Sequence, residues 1–169
     1  MKINSKIHFI GISGIGMSGI AELMLDKGYS IQGSDISVND NTKRLKKKGI
    51  KFFLGHNKKN LNKATMVVIS SAVKKNNVEL LAARQRKLPI FKRGEMLANI
   101  VALKKNIVIT GSHGKTTTTS LVANILVEAG LDPTVINGGV INSLKNTAQL
   151  GKGEWAVIES DESDGSFLK

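Results

Sequence analysis

The chain has 169 residues, 41% of them hydrophobic, a formal net charge of +12 and no cysteine. It is long enough to bury a core, as one domain or one and a half. The lack of cysteine excludes a disulfide framework or a thiolate metal site and fits a reducing cytoplasm, and no stretch approaches the roughly 20 apolar residues of a membrane span.

The positive charge is mostly lysine in short clusters, such as Lys46 to Lys48, Lys58 and Lys59, Lys74 and Lys75, and Lys104 and Lys105. Five phenylalanines and one tryptophan beside the single tyrosine are too few for a base-stacking platform, so the clusters read as solvated surface and not as a nucleic-acid face. Lys2 and Lys6 ahead of apolar residues imitate a signal peptide, but glycines, Glu22 and Asp26 break the run.

Lys6 to Gly11 reads as a buried first strand. Gly11, Gly14, Gly16 and Gly19 follow, and Gly14-x-Gly16-x-x-Gly19 is a pattern that makes a tight turn, admits a diphosphate close to backbone and packs helix on sheet. The helix runs to about Lys27, with Ile20, Leu23 and Met24 on its apolar face and Gly28 as its stop. A second strand, Tyr29 to Gly33, leads to Ser34 and Asp35, and an acid there is positioned for a ribose hydroxyl. The pattern suits any nucleoside diphosphate, nicotinamide cofactors included, and leaves the base open; a doubly wound domain without a ligand is the alternative.

Asn41 to Lys48 reads as a basic helix, Ile50 to Phe53 as a short strand and Thr65 to Ser70 as a fully buried strand. Ser70 and Ser71 then fall at the carboxyl edge of a sheet, where open α/β folds bind ligands. Val78 to Lys87 is helical, Leu88 to Phe91 a strand and Glu95 to Leu103 a helix, an alternation that predicts a parallel sheet with right-handed crossovers.

A second unit starts at Lys104. The β-branched run Ile107 to Thr110 breaks at Gly111, and from Lys115 apolar residues recur at helical spacing at Leu121, Val122, Ile125 and Leu126. G-x-x-G-K-T-T between strand and helix is a phosphate loop two residues shorter than the common one. Its backbone N–H groups and helix N-terminus suit phosphates, Lys115 adds a point charge, and the Thr116 hydroxyl is a magnesium ligand. Pro133 to Ile136 reads as a strand, Gly138 and Gly139 as a turn, and Trp155 to Ile158 as a buried strand with Trp155 in the core. Glu159, just past that strand, is the first choice for the metal, directly or through water; the alternative for Glu159 to Asp164 is a solvated acidic turn.

The ordered stretches HFIGISGIGMSGIAE, GYSIQGSD, the LGH ending at His56, VVISSAV, FKRGEMLA, ITGSHGKTTTTS and ESDESDGSFL cover nearly the whole chain. Together they resemble the amino-terminal part of the Mur ligase family. Ser13 stands where glycine is usual, Ser112 for threonine and Ser160 for alanine, and none of these removes a required group. The resemblance implies an α/β fold, with a Rossmann-like parallel-sheet domain at residues 1–103 and the start of a P-loop central ATPase domain at 104–169.

The first domain is then expected to bind a UDP-sugar through Gly14, Ile15, Gly16, Met17 and Ser18 on the diphosphate, with Asp35, Ser70, Ser71 and His56 near the uridine. His56 by itself reads as a loop histidine. ATP is expected on Gly111, Ser112, His113, Gly114, Lys115, Thr116 and Thr117, and Mg2+ on Thr116 and Glu159. Lys115 is the implied catalytic residue; His113 is either substrate-orienting or loop packing. Asn137 and Asn146 are implied contacts near the lactoyl group. Arg93 and Glu95 fit a helix-start ion pair as well as ligand contact.

The implied activity is ATP-dependent ligation of L-alanine to the lactoyl carboxylate of UDP-N-acetylmuramate through an acyl phosphate, in peptidoglycan synthesis in the cytoplasm. The expected partners are these small molecules, with no nucleic acid and no membrane insertion. A murein tripeptide recycling ligase and a nicotinamide-binding regulatory module are the alternatives. The family's carboxy-terminal closing domain has no counterpart in the chain, which therefore reads as a fragment expected to bind the UDP-sugar with little or no ligation.

Overall fold

The computed structural model describes residues 5–136 and 148–159, which form two compact units dividing between Met96 and Leu97. The first contains β1 (Lys6–Ile10), α1 (Ile15–Asp26), β2 (Ser30–Asp35), α2 (Asp40–Lys47), β3 (Lys51–Leu54), a short 3-10 turn (Lys58–Leu61), β4 (Met66–Ile69), α3 (Val78–Gln85), β5 (Ile90–Lys92) and the start of α4 (Arg93–Val101). Its sheet runs β3-β2-β1-β4-β5, and every pair is parallel. Central β1 is buried from Ile7 to Ile10, as a strand covered on both faces must be. One cluster joins Ile10, Val67, Leu61, Leu80 and Ala83, and α1 contributes Met17, Ile20, Ala21, Leu23 and Met24 to the core.

Register aligns the strand ends. Ile10 stands opposite both Ser34 and Ile69, and Asp35 opposite Leu54. Gly11, Asp35, Gly55 and Ser70 therefore leave the sheet at one carboxyl edge. The chain direction across the sheet switches between β1 and β4, the place where open α/β sheets open a crevice.

The second unit contains β6 (Lys105–Ile109), α5 (Lys115–Glu128), β7 (Thr134–Ile136), β8 (Ala148–Gln149) and β9 (Trp155–Glu159). Its described strands run β6-β9-β7-β8; β6 and β7 flank β9 in parallel, while β8 pairs antiparallel with β7. β8 has no counterpart among the strands expected from sequence, because its two residues are too short to carry a period. Leu97 and Val101, late in α4, pack with Ile136, Ala156 and Ile158, so the last turns of that helix belong with this sheet.

Two expectations change. Trp155 is half-buried at the start of β9, with Lys105 Nζ 5.6 Å from its ring centroid, so it caps the strand and does not fill the core. Arg93 and Glu95 form no ion pair among the described residues: Glu95 accepts from the Lys92 backbone N–H at 2.7 Å, while Arg93 Nη1 lies 2.6 Å from where a Cβ on Gly16 would stand. Asn137, Asn146, the Gly138–Gly139 turn and Ser160 to Asp164 lie outside the described residues.

Candidate functional site

The loop after β1 is held by its neighbours. Gly11 has φ +83, and a Cβ there would come within 2.9 Å of Ser70 Cβ, so the tight turn falls on Gly11 and not on Gly14 as expected. Gly14 is the N-cap of α1. Ser13 N–H donates to Asp35 Oδ2 at 2.8 Å, and its carbonyl accepts from Asn39 and Asn41 at 3.2 and 2.8 Å. Asn39 also caps α2 in a capping box with Thr42, and Glu22 on α1 pairs with Arg44 of α2 and with Lys48 at its C-cap.

These contacts narrow the expected diphosphate ligands. Ser18 N–H already closes the first helical turn onto Gly14 O at 2.8 Å, and its hydroxyl donates to Ile15 O at 2.9 Å. Ser18 is therefore spent on the helix, and the Met17 side chain is buried in the core. The N–H groups of Ile15, Gly16 and Met17 precede that first helical bond and suit an anion. Asp35 likewise is 8% exposed and already accepts Ser13 N–H and Ile36 N–H, each at 2.8 Å; it braces the loop before it meets any ribose.

A cavity of about 410 Å³ opens here, lined by Gly11, Gly14, Asp35, His56, Ser70 and Asn77 among others, a size suited to a nucleotide-scale ligand. The exposed Ser71 is not part of this lining. Beneath it lies a buried polar network that sequence reasoning missed. Glu79 and His8 are fully buried, with His8 Nε2 3.2 Å from Glu79 Oε2. Asn57 N–H and Asn60 Nδ2 donate to Glu79 Oε1 at 3.1 and 2.7 Å, Ser34 donates to Oε2, and His56 Nδ1 is 3.3 Å from Oε2. Burial by itself raises the Glu79 carboxyl, but the hydrogen bonds from His8, Ser34 and Asn60 outweigh it and hold the pKa down at about 2. The available signals were a histidine in an apolar strand and an acid on the inner face of VELLAARQ.

In the second unit Ile109 pairs with Glu159, so the phosphate loop leaves β6 level with the end of β9. Gly111 at φ +145 and Gly114 at φ +73 turn the chain through conformations that favour glycine. Thr118 N–H is the first to bond back, to Gly114 O at 3.0 Å, leaving the N–H groups of Lys115, Thr116 and Thr117 ahead of the first helical bond. Lys115 Nζ donates to Gly111 O at 2.7 Å. The Thr116 hydroxyl lies 3.1 Å from both carboxylate oxygens of Glu159, so the two expected magnesium ligands are brought together. Ser112 and His113 are exposed. Among the described residues no group of three or more His, Cys, Asp or Glu could hold an ion. One hydroxyl and one carboxylate fit magnesium, which keeps water and phosphate oxygens as its other ligands.

A parallel sheet with a glycine loop, followed by a short glycine-rich loop whose threonine meets a carboxylate on the adjoining strand, is an arrangement of two strand-loop-helix units suited to anions. The chain belongs to the Mur ligase family: residues 6–105 match the Mur ligase family, catalytic domain, and residues 109–162 match the Mur ligase middle domain. It is 63% identical over 162 residues to the UDP-N-acetylmuramate--L-alanine ligase of Pelagibacter ubique, covering 96% of this chain and 35% of that protein. With the enzyme of the same name from Aquifex aeolicus the identity is 58%, over 97% of this chain and 36% of the relative. The crystal structure of UDP-N-acetylmuramate-alanine ligase from Thermotoga maritima superposes with a TM-score of 0.74 at 37% identity, over 96% of this chain and 38% of that one. The chain thus spans about 35% of the length of the curated relatives it matches. No described helix is long and apolar enough to cross a membrane.

Proposed function

We propose that the whole protein joins L-alanine to the lactoyl carboxylate of UDP-N-acetylmuramate at the expense of ATP, through an acyl phosphate. The observation that carries this reading is the Thr116 to Glu159 contact on a Lys115-bearing loop, in a chain that also holds a nucleotide-sized cavity over a glycine loop. The Rossmann-like domain, expected at residues 1–103 and compact as far as Met96, takes the UDP portion: the N–H groups at the start of α1 face the diphosphate, and Asp35, His56 and Ser70 border the nucleoside. Residues 104–169 carry the ATP loop.

A carboxylate attacking a triphosphate meets electrostatic repulsion, so the transfer depends on positioning and on charge neutralisation. Lys115 leaves the Gly111 carbonyl and turns its ammonium to the terminal phosphates, and the N–H groups of Lys115, Thr116 and Thr117 hold their oxygens. Magnesium, held by Thr116 and Glu159, would neutralise phosphate charge. The alanine amine then attacks the acyl phosphate and phosphate leaves. The names of the relatives support alanine as the amino acid, and the reading implies a cytoplasmic enzyme.

A recycling ligase is the nearest rival. The Neisseria meningitides UDP-N-acetylmuramate:L-alanyl-gamma-D-glutamyl-meso-diaminopimelate ligase has a TM-score of 0.73 at 30% identity, so shape does not separate the two and the higher identity to the alanine enzymes favours the first. The test is calorimetric titration of the chain with UDP-N-acetylmuramate and with NADH. Binding of the UDP-sugar and not of NADH is expected; preference for NADH overturns the assignment.

A further inference from the structure

The strands of the first sheet all run parallel, so their first residues share one edge, opposite the cleft. Lysines crowd the approach to that edge: Lys27 follows α1, Lys46 and Lys47 end α2, Lys51 opens β3, and Lys63 and Lys87 precede β4 and β5. All six are exposed, and none of them forms an ion pair among the described residues. Of the acids on α1, Glu22 is engaged with Arg44 and Lys48, and Asp26 is a single charge against six lysines.

Helix carboxyl ends favour cations, and that accounts for part of the cluster. It does not account for the turns. The chain enters β2 and β3 through Gly28 and Gly49, at φ +87 and +84, and enters β4 and β5 through Lys63 and Lys87, at φ +59 and +52. Glycine is the residue such left-handed turns favour, so at two of the four places a charge is kept against the preference of the backbone. Nor does an anion in the cleft account for these charges. The five residues of β1 separate the two edges by roughly 16 Å, beyond the Debye length of about 8 Å at physiological salt.

We propose that this edge is a docking face for an anionic lipid bilayer, held by charge and without insertion. Lys27, Lys46 and Lys47 close the layer in which α1 packs with α2, while Lys63 and Lys87 close the layer in which α3 packs with the 3-10 turn. The cations therefore spread over both layers and across the sheet, as a plane of charge and not a line, and a plane suits lipid headgroups. No large apolar side chain is exposed in these turns, which denies a protein partner the apolar centre of an interface and keeps the contact at the level of the headgroups. Phe52 and Phe53 are half-buried, with Lys46 and Lys51 Nζ 5.0 and 5.1 Å from their ring centroids, so neither ring is presented for base stacking. Docked this way, the cleft at the opposite edge faces away from the bilayer and stays open to its ligand.

The test is co-sedimentation of the full chain with vesicles of phosphatidylcholine and phosphatidylglycerol in equal parts and with vesicles of phosphatidylcholine alone, beside a titration with a DNA duplex. Binding to the anionic vesicles is expected, with none to the neutral ones and with loss at high salt. The double variant Lys63→Gly, Lys87→Gly should be at least as stable as wild type, because glycine suits both turns. It should bind anionic vesicles about twentyfold more weakly, at roughly fivefold for each lysine near a bilayer surface. The double variant Lys74→Gln, Lys75→Gln removes the same charge at the carboxyl edge and should stay within about twofold of wild type. Equal weakening in the two double variants, equal binding to both kinds of vesicle, or a wild type that ignores anionic vesicles at low salt overturns the inference. So does a DNA duplex bound more tightly than the anionic vesicles through the same two lysines, which makes the edge a nucleic-acid face. None of these outcomes touches binding of the UDP-sugar in the cleft, so the ligase reading stands or falls separately.

Discussion

The glycine loop of the first unit and the phosphate loop of the second each join a strand to a helix, but they are held in place differently. In the first, the loop backbone is tied down from three sides by Asp35, Asn39 and Asn41, and α1 buries six of its 12 residues. In the second, the side chains of the loop are engaged with nearby groups, Lys115 on the Gly111 carbonyl and Thr116 on Glu159. A preformed backbone cradle suits a ligand that stays bound through a reaction. Side chains that exchange one partner for another suit a phosphate chain that is cut and released.

The sharpest way to break this contrast is Lys115→Ala in the full-length protein. Ligation should fall about a thousandfold, because one positive charge is removed from developing phosphate charge. Affinity for the UDP-sugar should stay within about twofold, since that cradle is built without Lys115. Parallel turnover and calorimetric measurements check both halves; ligation at the wild-type rate would end the assigned role of Lys115.

Acid should separate the two units next. Glu79 has a folded pKa depressed from 4.5 to about 2, so its contribution is fully present above pH 4.5 and is lost as pH falls from there through the folded value. Urea unfolding followed through amide signals of β1 and of β9 at neutral pH and near pH 3 should show β1 losing more. In Glu79→Gln the first unit should start weaker and change less with pH. Equal acid sensitivity of wild type and variant would remove Glu79 as the cause.

The sequence was most legible where the signal is local. Glycine spacing, β-branched runs and helical periods located β1, α1, the phosphate loop and α5 within a few residues, and an acid following a strand pointed to Asp35 and Glu159. What stayed hidden depends on register across the sheet. His8 and Glu79 stand 71 positions apart and meet because β1, β2 and α3 pack around one point. The same register makes Gly11 the turn residue, since Ser70 arrives beside it from β4. Arg93 reaches Gly16 instead of Glu95 for an equally non-local reason: α1 and the start of α4 come together at the glycine loop.

The smallest expected effect tests what Asp35 does. Its two carboxylate oxygens accept two backbone N–H groups, and an amide in its place keeps one acceptor while turning an NH2 toward the other donor. Asp35→Asn should therefore loosen the loop before any nucleotide is present, with Ser13 amide exchange about tenfold faster, the equivalent of roughly 1.4 kcal/mol and typical of one charge-assisted hydrogen bond. UDP affinity should fall by a similar factor and ATP affinity should not change. If UDP affinity falls while Ser13 exchange in the unliganded protein stays as it was, Asp35 acts on the ribose and not as a brace, and the first cradle is less preformed than its hydrogen bonds imply.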